Sequence, residues 1–280
     1  IPGHIGPLVR GLFHALFCAA FIVRSRLFLV KAGPFAKPLA ESPRVCYTES
    51  NRDYGVKEFF MEKLGTACQL RLVVLDIDGT LTDPAGDITP PVQAAVAALL
   101  RRDILVVVAT GRNLAEMDQV WDAWPQLTRI AYSNGAAITG MGQPLDDYFQ
   151  GIPADVARRV YQSAMAADTM PEIYANGKIY VEASRWEKRV YYRAQYLEET
   201  TPGSRTPIHS LEAILSRADA RIEKVNVFFP CDDHRLSFEA ANQGIGLRTS
   251  HTIQGGLEFN NPKANKAEAV AHICKALSIP

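Results

Sequence analysis

Asp76 and Asp78 stand one residue apart, directly after the aliphatic run 72–75, and Gly79, Thr80 and Leu81 follow them. Two carboxylates this close repel each other unless a cation or a proton intervenes. An oxygen-ligated Mg²⁺ that also engages a phosphate would satisfy them, and phosphoryl chemistry is the use such a pair suggests. Alternate residues of a strand point to opposite faces, so both side chains meet one ligand only if the backbone turns at Ile77 or Asp78. Gly79 permits that turn.

The elements around the pair must deliver it to a shared rim. The stretch "RLVVLDI" is a continuous apolar run of strand length that ends in a Gly-Thr turn. "TPPVQAAVAALLRRD" opens with helix-start prolines and places Val92, Val96, Leu99 and Leu100 on one face. "ILVVVATGR" is a second strand, "NLAEMDQVWDAW" a helix with Asn113 as its N-cap, and "RIAYSNGAAI" a third strand. Apolar strands alternating with helices predict a parallel sheet covered on both faces. Ligands of such sheets bind at the carboxyl ends of the strands. Those ends here carry Asp76 and Asp78, then Thr110-Gly111-Arg112, then Asn134-Gly135. The bland alternatives are an ordinary strand-to-helix turn at 110–112 and a plain turn at Asn134-Gly135.

Beyond residue 140 the pattern changes. "EIYANGKIYVE" alternates around Asn176-Gly177, a strong hairpin signal. Helical stretches "ADVARRVYQSAMAAD" and "SRWEKRVYYRAQYLEE" flank it, then comes an alternating strand "EKVNVFF" and a helix "DDHRLSFEAANQ". Tyr191, Tyr192 and Tyr196 read as helix packing within this module. The expectation is an inserted α+β module over 141–250, a first core segment over 61–140 and a second over 251–280. The last segment closes with a helix that presents Ala269, Val270, Ile273 and Leu277.

Composition narrows the partners. Lys plus Arg and Asp plus Glu are both 30, and no basic run stands out, which argues against nucleic acid. Five scattered cysteines without CxxC spacing read as reduced thiols of a cytoplasmic protein. The apolar stretch 11–23 is cut short by Arg24 and Arg26, below the length that spans a bilayer. Residues 1–60 therefore read as a poorly ordered or non-native appendage of upstream sequence. A membrane anchor is the less favoured alternative.

"DIDGTLTD", "VVVATGR", "SNGA" and the later "NPKANKAEAV" together resemble the haloacid dehalogenase (HAD) superfamily of phosphohydrolases. The inserted module resembles the larger cap of its Cof-type sugar-phosphate phosphatase branch. The resemblance covers residues 70–280. Five prescribed positions at roughly 5–7% each make the first motif an event on the order of one chance match per million starts. It implies a Rossmann-like α/β core with an α+β cap and a Mg²⁺-dependent phosphatase acting on a small phosphorylated metabolite.

By the same resemblance Asp76 is the nucleophile that forms an aspartyl-phosphate, and Asp78 the general acid and then base. Asp76 and the Asp78 carbonyl ligate Mg²⁺. Thr110, with nearby backbone amides that include Gly79 and Gly111, holds the phosphoryl group. Lys266, rather than Lys263, balances its charge, and Arg112 and Asn134 orient phosphate or substrate. The family also has a last acidic motif, Gly-Asp-x-x-Asn-Asp, on the strand after the lysine helix. The chain ends at Pro280 and contains no such motif, so the expectation is a truncated chain with fewer Mg²⁺ ligands. Phosphomutase or phosphotransferase chemistry, a nucleotide-sugar transferase and a catalytically silent relative are the rival readings.

Overall fold

The computed structural model describes residues 19–23, 26–31, 46–49, 70–83, 85–140, 143–252 and 255–279. Strands β1 (Ala19–Val23), β2 (Arg26–Lys31) and β3 (Cys46–Glu49) precede β4 (Leu70–Leu75). Helix α1 (Pro90–Leu100), β5 (Leu105–Ala109), a 3₁₀ turn (Leu114–Glu116), α2 (Asp118–Ala123) and β6 (Ile130–Tyr132) follow. A second 3₁₀ turn (Ser133–Gly135) leads into the hairpin β7 (Ala137–Gly140) and β8 (Gln143–Phe149).

The first sheet runs β3-β2-β1-β4-β5-β6-β7-β8. Strands β4, β5 and β6 are mutually parallel, whereas β1 pairs with β4 antiparallel. Side chains of β4 alternate between two cores. Val73 and Leu75 pack with Val96 and Leu99 of α1 and Val120 of α2. Leu72 and Val74 pack with Ala269, Val270 and Ile273 of the last helix. Both faces of the strand are therefore dry, which explains its unbroken apolar run. Each such aliphatic side chain contributes roughly 1.5–3 kcal/mol, enough to fix the strand end that carries Asp76.

The chain continues through α3 (Ala154–Ala166), β9 (Met170–Ala175), β10 (Lys178–Glu182), α4 (Ala183–Trp186), α5 (Tyr196–Thr200) and β11 (Arg205–Ile208). Next come α6 (Glu212–Leu215), β12 (Ile222–Phe228), α7 (Asp232–Ala241), β13 (Arg248–His251), β14 (Leu257–Asn260) and α8 (Lys266–Ala276). The second sheet runs β11-β10-β9-β12-β14-β13, antiparallel except where β10 meets β11. One face packs Ile173, Val225, Val227, Leu257 and Phe259 against Val160 and Ala164 of α3. The opposite face carries Glu172, Tyr174, Lys224, Asn226 and Glu258, all cross-strand neighbours by register.

Sheet membership divides the chain differently from the expected 141 and 250. Strand β8 stays in the first sheet, because it closes a hairpin with β7. Strand β14 belongs to the second, because it pairs with β12. Both crossings lie side by side: Asn261 Nδ2 donates to the Gly151 carbonyl at 2.7 Å, and the Ile152 amide to the Ile222 carbonyl at 2.8 Å.

The long helix expected over 184–199 is replaced by two short ones. Arg193 adopts φ 56°, and the chain tightens there as the Ala194 amide bonds the Arg189 carbonyl. The break buries Tyr192 and Ala194 and leaves Tyr191 half exposed. Leu277, expected on the inner face of the closing helix, lies just past its end and is exposed. Of the stretch 11–23, residues 11–18 lie outside the described residues and the rest form β1. No helix among the described residues is long and apolar enough to cross a membrane.

Candidate active site

Asp76 directly follows β4, and the turn expected at Ile77-Asp78 is present. The amides of Thr80, Leu81 and Thr82 all donate to the Ile77 carbonyl, and Gly79 takes φ +70°. Asp76 turns inward. Its Oδ1 accepts from the Ile77 amide at 2.8 Å and its Oδ2 from Lys266 Nζ at 2.5 Å. Lys266 is the first residue of α8, whose N-cap Asn265 accepts from the Glu268 amide at 2.8 Å. The lysine and the aspartate, 190 positions apart, thus meet because α8 packs on the same sheet face as Leu72 and Val74.

Asp78 points the other way, toward the end of β5. Arg112 grips it with Nη2 at 2.7 Å from Oδ1 and with Nε at 3.2 and 3.3 Å from the two carboxylate oxygens. This two-pronged geometry uses the planar fork of the guanidinium. The charge beside Asp78 is therefore positive, where the sequence suggested negative neighbours. The Arg112 side chain is 12% exposed and that of Asp78 is 54% exposed, so the pair sits at the rim of the cleft, half in water.

Thr110 is fully buried, and its hydroxyl accepts the Arg112 amide at 3.1 Å, so here it shapes the loop that aims Arg112. Gly111 has no side chain to obstruct Asn134, whose Oδ1 would lie 2.8 Å from a Cβ there. Asn134 adopts φ 61°, tolerated by asparagine, and donates to Glu258 Oε2 at 2.8 Å and to Asn260 Oδ1 at 3.1 Å. Gly135, at φ +82°, lies so close to α8 that a Cβ would fall 2.3 Å from the Asn265 carbonyl oxygen. The SNG turn therefore abuts the start of the lysine helix.

The expected residues thus form two linked groups, Asp76 with Lys266, and Asp78 with Arg112, the latter tied to Asn134 through the 110–112 loop. A cleft of about 1160 Å³ opens over the rim, bounded on one side by Asp78, Gly79, Gly111, Arg112 and Asn134. Its other wall is the polar face of the second sheet, including Tyr174, Arg205, Lys224, Asn226 and Glu258.

These wall residues were not singled out in the sequence. Lys224 Nζ donates to the Gly111 carbonyl at 3.0 Å and to Glu258 Oε1 at 3.2 Å. Arg205, almost fully buried, pairs with Glu116 of the first domain and with Glu172 of the second. The signal that could have found them is the presence of Glu223, Lys224 and Asn226 within an otherwise apolar strand sequence, where a wet face would be wasted unless another domain covers it.

The model of the haloacid dehalogenase-like hydrolases matches residues 73–280, nearly three quarters of the sequence. The chain belongs to this family. A solved haloacid dehalogenase-like hydrolase from B. subtilis superposes on this HAD-like hydrolase with a TM-score of 0.61. It shares 18% identity, over 75% of this chain and 79% of the other. A solved HAD subclass IIB sugar phosphatase gives a TM-score of 0.59 and 15% identity, over 75% of this chain and 76% of its own. These likenesses establish a shared fold: the Rossmann-like core with an α+β cap.

An HMP-PP phosphatase from Serratia proteamaculans (strain 568) is 31% identical over 110 residues, which is 37% of this chain and 38% of that protein. One from Shigella flexneri is 34% identical over 93 residues, 33% of its length. The chain thus spans about a third of the curated relatives it matches first.

Proposed function

We propose that this HAD-like hydrolase is a Mg²⁺-dependent phosphatase of small phosphate monoesters, sugar phosphates or similar metabolites, working through an aspartyl-phosphate. The observation that supports it most is the contact between Asp76 and Lys266 at the carboxyl edge of the sheet, with Asp78 two residues on. In this reading an oxygen of Asp76 attacks phosphorus as the bond from phosphorus to the leaving oxygen breaks. Asp78 gives that oxygen a proton and then takes one from the water that attacks the aspartyl-phosphate, releasing phosphate and regenerating Asp76. Lys266 offsets the charge on Asp76 and on the incoming phosphoryl oxygens.

Arg112 is an equally good two-pronged partner for phosphate and for carboxylate. An incoming phosphate therefore competes for it and frees Asp78 to face the leaving oxygen. Thr110 and Gly111 hold the loop that makes this possible, and Asn134 braces it against the second domain, which closes over the cleft as a cap.

In this reading the Asp76 carboxylate and the Asp78 carbonyl would hold the metal. Among the described residues no group of three or more acidic, His or Cys side chains could hold a metal ion. Two hard oxygens fit Mg²⁺, which takes few carboxylates and fills its octahedron with water and substrate phosphate. When bound, it would neutralise charge on the phosphoryl oxygens.

The test is a phosphate-release screen over a panel of phosphorylated metabolites, with and without Mg²⁺, comparing the chain with Asp76→Asn. Mg²⁺-dependent release abolished by the substitution is the expected result. Normal turnover by Asp76→Asn would overturn the nucleophile assignment. Phosphate moving to a second sugar rather than to water would indicate a phosphotransferase.

A further inference from the structure

Glu223 sits where a regular strand would not put it. The pairing of β12 with β9 steps from Ile222↔Ala175 to Lys224↔Tyr174 and leaves Glu223 without a partner. Such a bulge re-aims one side chain, and bulges gather beside functional sites. As a result two consecutive residues, Glu223 and Lys224, both reach the core domain, whereas neighbours on a regular strand point to opposite faces.

The Glu223 carboxylate is buried and collects donors from both domains. The Gly177 amide, at the tip of the cap hairpin, donates to Oε1 at 2.8 Å. Asn113 Nδ2 donates to Oε2 at 3.1 Å, and the Tyr132 ring faces the same carboxylate. The Asn113 amide cannot be reversed without loss, because its Oδ1 already accepts the Ala115 amide at 3.1 Å as the helix cap. The same Nδ2 also reaches Ser133 Oγ at 3.2 Å. Asn113 follows Arg112 directly, and Tyr132 precedes Ser133 and Asn134. The charged and titratable groups facing Glu223 are Tyr132 and Arg221.

We propose that Glu223 is a positioning residue: a carboxylate carried by the cap that fixes both phosphate-site loops of the core, 110–113 and 132–135, when the cap is docked. Cap docking and assembly of the site are then one event, since the residue that joins them comes from the moving domain. The proposal goes beyond the phosphatase reading and needs no substrate to test.

Hydrogen exchange of the full chain, read by mass spectrometry, compares wild type with Glu223→Ala and Glu223→Gln. Losing hydrogen bonds to a buried carboxylate should speed exchange roughly tenfold or more in the two core loops. Peptides of β9 and β14 should stay unchanged. Glu223→Gln should remain close to wild type, because its carbonyl still accepts from Gly177 or Asn113. Unchanged loops in Glu223→Ala, or a Gln variant that behaves like Ala, would overturn the proposal. Should Glu223→Ala fail to fold, Ser133→Ala removes the hydroxyl that shares Asn113 Nδ2 with Glu223: faster exchange in 132–136 is expected, and no change there refutes the link.

Discussion

Lys266 Nζ lies 2.5 Å from Asp76 Oδ2, so the charge that opens α8 rests on the carboxylate that ends β4. If this contact serves the reaction, Lys266→Ala removes a preorganised positive charge at the reacting centre. Turnover should fall by about 10²–10³, as when a positioned donor is lost from an oxyanion site. Phosphate-release kinetics measure it, and an unchanged kcat would place Lys266 outside the chemistry.

Arg112 and Asp78 form the second pair, and its value lies in geometry. Lysine keeps the charge but loses the fork, so Arg112→Lys should raise KM for the phosphorylated substrate roughly tenfold, about 1.4 kcal/mol of binding. A KM that does not move would mean that Arg112 does not hold the phosphate.

The buried cation at the cap–core boundary bears on stability. Arg205 pairs with Glu172, which is itself fully buried, and with Glu116. Arg205→Met leaves the Glu172 charge uncompensated and should cost about 3–5 kcal/mol in urea unfolding. A loss below about 1 kcal/mol would show that water already compensates the charge on Glu172.

Burial pushes the Glu223 carboxyl up to about 7, against the opposing pull of the Gly177 amide, Asn113, Arg221 and Tyr132. The folded value exceeds the unfolded one, so the folded state holds the proton more tightly. The resulting stabilisation is fully present below about pH 4.5 and is lost as pH rises through about 7. Urea midpoints measured between these limits should therefore fall with rising pH for wild type relative to Glu223→Gln, by an amount on the order of a few kcal/mol. Parallel profiles would remove Glu223 as the titrating group.

Gly135 and Gly203 both take positive φ, but only Gly135 faces backbone at 2.3 Å. Alanine at 203 should cost only its backbone strain, roughly 1–2 kcal/mol. Alanine at 135 must also push Asn265 and Lys266 away. Its unfolding free energy should fall further than that of Gly203→Ala, and phosphate release should fall with it. Equal losses would show that the SNG turn does not brace the lysine helix.

Much of this was legible in the sequence, and the exceptions have physical causes. Strand β4 is readable because both of its faces are buried, and "DIDGT" because few other roles ask for two acids at the end of such a strand. Asn113 was readable as a cap, since that role is local. Glu223, Lys224 and Glu258 were not, because a charged residue in a strand looks solvent-facing until the covering domain is known. The break at Arg193 was hidden for a similar reason: its spacing is helical, and the burial of Tyr192 and Ala194 that overrides it is tertiary. Strand β14 reads locally as a return to the core, while its pairing with β12 depends on residues thirty or more positions away.

The two crossings between the domains, at Gly151 and Asn261, are stapled to each other. A tether of one strand would let the cap swivel and tilt in any direction. Two strands fastened side by side act like the pins of a door and leave essentially one axis of swing. Any swing about that seam would carry Lys224, Glu258 and Asn260 together, because all three lie on the paired strands β12 and β14.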